Sequence, residues 1–251
     1  MAEPLLVATS LSRFFGGLAA VNRVDIALAP GEVHAVIGPN GAGKTTLVNL
    51  LSGEIMPTFG SIILAGEDVT GLSAHRMAHQ GIARSFQRSN IYGDFSALEN
   101  CRLAVQARQK RGFRLVKPAT SYPELVEEAR RALALAGLEN PERIAGTLSH
   151  GERRQLEIAV ALAMAPRILL LDEPLAGMGA EEGARIIALI SRLAASHAIL
   201  LVEHDMDAVF SIAHRLTVMV DGKVLATGAP RAIREDRAVQ EAYLGKPEAA
   251  L

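Results

Sequence analysis

The sequence predicts an α/β fold: a parallel sheet covered by helices on both faces, with a helical subdomain inserted into it. Three observations lead there. The near-continuous apolar runs EVHAVI, RILLLDE and AILLVEHD read as strands buried on both faces rather than on one. Helix-type patterns alternate with them, as crossovers between parallel strands require. From Ile91 to about Ala165 the strand runs stop and helical periodicity takes over.

Taken in order, short β-type runs with turn signals open the chain: LLVAT, VDIAL, then EVHAVI, which ends at Gly38. Leu47, Leu50 and Leu51 mark a helix that follows directly. SIILAGEDV predicts a strand and a turn, and GIARSFQ a shorter strand. The helical insert carries a polar, basic stretch, ARQKRGFR, with Pro118 and Pro123 as breakers. Near its end lies TLSHGERRQLEIA, in which Leu156, Ala159, Val160 and Ala163 recur at helical spacing. Ser149 followed three residues later by Glu152 is a capping-box signature for that helix. Gly151, inside its first turn, costs about 1 kcal/mol against alanine. A glycine there predicts that something comes very close to the backbone. RILLLDE and AILLVEHD then flank the helical EEGARIIALISRLAAS, and TVMVDGKVLATG predicts a hairpin turning at Asp221 and Gly222.

Bulk properties narrow the function. A chain of 251 residues, 49% hydrophobic, can bury a substantial core, as one large domain or one with a subdomain. A formal net charge of -1 gives no broad basic footprint for nucleic acid. Cys101 is the sole cysteine, so there is no internal disulfide and no cysteine-cluster metal site; it reads as a packing residue in a reduced, cytoplasmic setting. The start, MAEPLLVATS, lacks the basic and long apolar regions of a signal peptide. Apolar runs such as IAVALAMAP fall short of the roughly 18 residues that span a bilayer. A membrane role is therefore expected only through a partner.

The chemistry concentrates in GPNGAGKT, which matches the P-loop pattern between a strand and a helix. Across Gly38, Pro39, Asn40, Gly41, Ala42 and Gly43 the glycines let the backbone N–H groups, all but that of Pro39, turn inward around phosphate oxygens. Lys44 adds a point charge for the β- and γ-phosphates, the Thr45 hydroxyl can ligate Mg²⁺, and Thr46 continues into the helix. RILLLDEP places Asp172 and Glu173 at the carboxyl end of an apolar strand, where open α/β sheets bind ligands. Asp172 would hold Mg²⁺ through water, and Glu173 would orient the water that attacks the γ-phosphate. His204 ends a similar run, and Gln87 follows GIARSF; neither stands out alone. The other histidines show no metal-ligand spacing.

In order, GPNGAGKT, RSFQ, LSHGE, RILLLDE and VEHD resemble the ATP-binding subunits of ABC transporters over nearly the whole chain. That resemblance implies a P-loop, RecA-like core with a parallel sheet, an N-terminal antiparallel β subdomain and an inserted helical subdomain. One domain would span 1–251: the core and β subdomain at about 1–90 and 164–245, the helical signature subdomain at about 91–163, and a tail at 246–251. LSHGE looks like the family's signature, with His150 for the first glycine and Glu152 for the glutamine. By position, Gln87 resembles the glutamine that senses Mg²⁺ and the attacking water, and His204 the histidine that contacts the γ-phosphate. Phe15, before Gly16 and Gly17, resembles the aromatic that stacks on adenine, with Phe14 a competing choice. In this family two such domains close head to tail over ATP. Ser149 and Gly151 would then meet a γ-phosphate held by the opposing subunit, at a helix N-terminus that favours anions. One departure is Gly179, which stands where the family carries an aspartate after the catalytic glutamate.

FFGGLAAVN, LSHGERRQLEIA, EPLAGMG, VEHDMDAV and EAYLG look like bacterial importer subunits for branched-chain amino acids, or for urea or short amides. The lipopolysaccharide-export ATPase has a similar ending; EPLAGMG and LEIA favour the importer. A soluble ATPase acting on ribosomes or DNA is a different class. It is opposed by the single domain and by the 60 residues that separate Gln87 from Leu148. Intact Lys44, Asp172, Glu173 and His204 oppose a catalytically dead binding module. The resemblance implies ATP and Mg²⁺ as cofactors and no nucleic acid. It also implies a second nucleotide-binding subunit (identical or paralogous), two transmembrane permease subunits and, indirectly, a periplasmic solute-binding protein. The chain would sit at the cytoplasmic face of the inner membrane.

Overall fold

The computed structural model describes residues 3–85, 91–109 and 122–244. Two sheets organise them. Strands β1 (Leu6–Phe15), β2 (Leu18–Leu28), β4 (Phe59–Leu64) and β5 (Glu67–Asp68) form an antiparallel sheet in the order β2-β1-β4-β5. The second sheet adds β3 (Val33–Ile37), β6 (Ile82–Arg84), β7 (Ile168–Asp172), β8 (Ala198–Val202), β9 (Arg215–Val220) and β10 (Lys223–Gly228). Its order is β10-β9-β3-β8-β7-β6, parallel throughout except for the β9–β10 hairpin. That hairpin turns at Asp221, with the turn signal read from Asp221 and Gly222.

Every residue of β3, β7 and β8 is buried, which accounts for their unbroken apolar sequence. Alternate residues serve different faces. Leu169, Leu171, Ile199 and Leu201 join one core, whereas Ile168, Leu170, Leu200 and Val202 join the other. The second core holds α1 (Lys44–Leu51) through Leu47, Val48, Leu50 and Leu51, and the N-terminal sheet through Leu6, Leu11 and Val24. α2 (Ala74–His79) leads from that sheet to β6. The first core continues into the helical insert.

The insert consists of α3 (Ala97–Arg108), α4 (Pro123–Ala136), a single 3-10 turn at Ala145–Thr147 and α5 (His150–Ala163). Cys101, Val105, Ala129, Leu133, Leu156 and Ala159 are fully buried among them. Burial pushes the Cys101 thiol up to about 12, so it is an inert packing group at neutral pH. Both α3 and α5 begin with complete capping boxes, Ser96 with Glu99 and Ser149 with Glu152. Beyond the insert, α6 (Ala180–Ala194) joins β7 to β8, and α7 (Met206–Ile212) joins β8 to β9. The short helices α8 (Pro230–Glu235) and α9 (Arg237–Leu244) follow β10. Among the described residues no helix is long and apolar enough to cross a membrane.

The parallel register sets the functional edge. Val36 and Asp172 both pair with Val202, so the carboxyl ends of β3, β7 and β8 stand level. The residues just beyond them are Gly38, Glu173 and Glu203 with His204. Open parallel sheets bind ligands at this edge.

Candidate functional site

The loop from Gly38 leaves buried β3 and enters α1 at Lys44. Gly43 caps that helix with φ 95°, and a Cβ there would lie 2.2 Å from the Ala20 carbonyl oxygen. Only glycine lets the loop turn left-handed against β2 at that distance. No side chain caps α1 and its first turn holds no acidic residue, so its N-terminus favours an anion. Lys44 is 8% exposed and folds back, its Nζ donating to the Gly38 and Pro39 carbonyls at 2.7 and 3.0 Å. Burial lowers its pKa against the raising influence of Glu173 and Asp172. A cavity of about 380 Å³ opens here, lined by Asn40 to Thr46 and by Leu18, Glu173 and Gly222 among others. Thr45 and Thr46 are half-buried on its floor helix.

Asp172 is fully buried at the end of β7. Its Oδ2 accepts from Arg84 Nη2 at 3.2 Å, while Oδ1 has no hydrogen-bond partner among the described residues. Burial raises the Asp172 pKa, opposed by the pull of Arg84 and Lys44. Glu173 follows with φ 50°, a left-handed backbone uncommon outside glycine. Its N–H donates to the Val202 carbonyl at 2.8 Å, and its own carbonyl accepts from Arg154 of α5 at 3.2 Å. Among the sequence-named residues, the structure thus joins Lys44, Asp172 and Glu173 in one place.

His204 lies just past β8 and is two-thirds exposed, with Nδ1 3.7 Å from Glu203 Oε2. Glu203, a residue the sequence reading passed over, is fully buried. Its carboxylate accepts from the Leu175 N–H at 2.7 Å and the His204 N–H at 3.0 Å. Burial raises its pKa against those bonds. Glu203 therefore ties the loop after Glu173 to the turn that carries His204. The only sequence signal was a carboxylate set against an apolar run. Gln87 lies outside the described residues, as do most of the basic stretch after Arg108 and the tail at 246–251.

Phe15 and Phe14 part company. Phe15 is 47% exposed, with the Arg13 guanidinium 4.8 Å from its ring centroid. Phe14 instead meets Phe59 edge-on at 6.2 Å and lines a cleft on the far side of β1. That cleft, about 1240 Å³, is larger than the P-loop cavity but holds neither a P-loop nor an acid pair. Size does not choose the site.

The tip of α5 forms a separate cleft, lined by Ser149, Gly151, Glu152, Gln155, Glu182 and Arg185 among others, and none of these lines the P-loop cavity. The close approach to Gly151 is made by Glu182 of α6. A Cβ on Gly151 would fall 2.8 Å from Glu182 Oε1. The Gly151 N–H donates to that oxygen at 3.3 Å and the Ser149 hydroxyl at 3.5 Å. His150 Nε2 also bonds the Ala176 carbonyl at 3.0 Å, fastening the tip to the loop after Glu173. Glu181, by contrast, points into solvent with Arg185 beside it. The negative charge near Gly179 thus goes to the chain's own helix tip.

The family profile described as ABC transporter matches residues 21–176. A second, described as branched-chain amino acid ATP-binding cassette transporter, matches residues 223–249. The chain is 42% identical to the high-affinity branched-chain amino acid transport ATP-binding protein BraF of Pseudomonas aeruginosa, covering 98% of this chain and all of that one. It is 39% identical, with the same coverage, to LivG of Escherichia coli K12, which carries the same description. The crystal structure of the ADP conformation of MJ1267, an ATP-binding cassette of an ABC transporter, superposes with a TM-score of 0.86. Sequence identity there is 28%, over 98% of this chain and all of that one.

Proposed function

Because the chain belongs to the ABC transporter family as one of its ATP-hydrolysing cassettes, we propose that it powers the import of branched-chain amino acids. Its relatives BraF and LivG, similar end to end, are described by that cargo, and the profile over residues 223–249 supports the same branch. Two permeases, a solute-binding protein and a second ATP-binding subunit complete the assembly at the cytoplasmic face of the inner membrane. A groove of about 240 Å³ fits a permease contact. It lies between the insert and β6, bordered by Ile91, Ala104, Val160 and Met164.

One observation carries the mechanism. Lys44, the α1 N-terminus and Glu173 share a cavity, while the α5 tip with Ser149 and Gly151 lines another. The P-loop amides and Lys44 bind the phosphates, and Phe15 offers its exposed face to adenine. Glu173 orients and polarises the attacking water, with His204 and Gln87 completing the γ-phosphate surroundings. The α5 tip of one subunit closes over the nucleotide of the other, which makes ATP the link between them. Closure then drives the permeases by its binding free energy.

The residues present fit a magnesium ion. Among the described residues the buried Asp172 Oδ1 lacks a hydrogen-bond partner, and Thr45 lines the P-loop cavity together with Glu173, the residue next to Asp172. Mg²⁺ is commonly held by one or two protein groups plus substrate phosphates, so no larger acidic cage is needed. When bound it would neutralise charge on the β- and γ-phosphates.

The test is to purify the assembled transporter and measure Mg²⁺-dependent phosphate release. Its solute-binding protein is then screened by thermal shift with leucine, isoleucine, valine, urea and short amides. Stabilisation by the branched-chain amino acids supports the reading. Stabilisation only by urea or amides, or co-purification with a lipid exporter, overturns the assigned cargo.

A further inference from the structure

We propose that Arg84 is a positioning residue of the nucleotide site, holding Asp172 so that one carboxylate oxygen stays available to the magnesium ligand shell; this rests on the ATPase reading above. Arg84 ends β6, three residues before Gln87. Its side chain is 8% exposed and Asp172 is fully buried, so their contact is an internal ion pair.

The guanidinium spans three elements. Nη2 reaches Asp172 Oδ2 on β7 at 3.2 Å, and Nη1 bonds Asn49 Oδ1 and lies 3.5 Å from Ser52 Oγ. Asn49 belongs to α1, whose N-terminus carries Lys44 and Thr45, and Ser52 caps that helix. The planar fork of an arginine can fix a carboxylate and a second acceptor at once, which a lysine's single ammonium does less rigidly. Arg84 therefore sets the Asp172 carboxylate relative to the helix that presents Thr45. The two groups offered to the metal are held to one frame.

The distribution of bonds on Asp172 points the same way. Oδ2 is taken by Arg84 while buried Oδ1 is left without a donor among the described residues. A buried charged oxygen left bare is costly, and an ion pair meant only to weld β6 to β7 gains nothing from it. The bare oxygen belongs to a carboxylate whose remaining partner comes with the ligand. Arg84 also borders the groove assigned to the permeases. The side chain that holds Asp172 is thus in reach of what docks there.

The full chain is titrated with Mn²⁺, a paramagnetic stand-in for Mg²⁺, in the presence of a saturating non-hydrolysable ATP analogue. Free Mn²⁺ is followed by electron paramagnetic resonance. Nucleotide affinity without metal is measured in parallel. Wild type showing no nucleotide-dependent Mn²⁺ binding would sink the ATPase reading itself, independently of Arg84. Given that binding, Arg84→Ala should weaken Mn²⁺ about tenfold while metal-free nucleotide affinity stays within about twofold. Arg84→Lys should recover part of the loss. Asn49→Ala keeps both charges but frees the guanidinium from α1, and should weaken Mn²⁺ by about threefold. Mn²⁺ affinity within about twofold of wild type in folded Arg84→Ala would overturn the proposal. Should that variant fail to fold, unchanged Mn²⁺ affinity in both Arg84→Lys and Asn49→Ala would overturn it equally.

Discussion

Glu173 combines a left-handed backbone with a side chain on the P-loop cavity. Such strain costs of order 1–3 kcal/mol and persists only where neighbours over-determine it. Here Val202 accepts its N–H and Arg154 holds its carbonyl. Glu173→Gln keeps the shape and removes the carboxylate that the proposed function sets against the attacking water. It should lower kcat in the assembled transporter by about 100-fold or more with ATP affinity retained. Near-normal phosphate release would remove Glu173 from the chemistry. Phe15→Ala should weaken ATP binding about fivefold, the worth of one stacked aromatic, as read by fluorescent-nucleotide displacement. The same loss from Phe14→Ala, with Phe15→Ala silent, would transfer the stacking role. At this scale local spacing picked out Gly38 to Thr46, then Asp172, Glu173 and His204, and the structure brings Lys44, Asp172 and Glu173 together. Arg84, Arg154 and Glu203 were not legible, because their bonds to Asp172, Glu173 and Leu175 reach 88, 19 and 28 residues along the sequence.

At the scale of elements, the N-terminus of α5 is a held anion site whose present anion is internal. The capping box and the crowded glycine were visible in LSHGE. The group that crowds Gly151 was not, since Glu182 comes from another helix 31 residues on. On the proposed function a partner's γ-phosphate would compete with the Glu182 carboxylate for Gly151, and closure would require Glu182 to withdraw. Its two bonds are long, at 3.3 and 3.5 Å, and breaking them costs about 1 kcal/mol. Glu182→Ala in the assembled transporter should therefore lower KM for ATP about fivefold. An unchanged or raised KM in steady-state assays would show that Glu182 does not compete. The fold's other elements were legible wherever apolar runs were unbroken or periodic. The short helices α2, α8 and α9, of 6, 6 and 8 residues, carry too few positions to reveal a period.

At the scale of the whole molecule, the two sheets meet at His34 of β3. Its Nδ1 contacts the Ala27 carbonyl at 2.9 Å and its Nε2 the Thr217 hydroxyl at 2.8 Å, which in turn meets Thr227 at 2.9 Å. Burial lowers its pKa from 6.5 to about 4. The unfolded chain therefore takes up this proton first. The contribution of His34 to stability is complete above the unfolded value and is lost as pH falls toward the folded one. Between pH 7 and about pH 5 the loss from this group is about 2 kcal/mol, measurable by urea unfolding. His34→Gln should flatten that part of the profile, and an unaltered slope would assign it to other groups. Around this seam the parallel edges bring the P-loop to Asp172 and Glu173, while α5 holds its tip in a different cleft. On the proposed function, each of these two clefts supplies half of a shared site. The most direct measurement is cryo-electron microscopy of the assembled transporter carrying Glu173→Gln with Mg²⁺ and ATP. The expected map shows the triphosphate on this chain's P-loop facing the signature helix of the opposing subunit. It also shows this chain's Ser149 and Gly151 on the opposing nucleotide, with Glu182 withdrawn. ATP-filled P-loops with each α5 tip still occupied by its own Glu182 and open to solvent would contradict it.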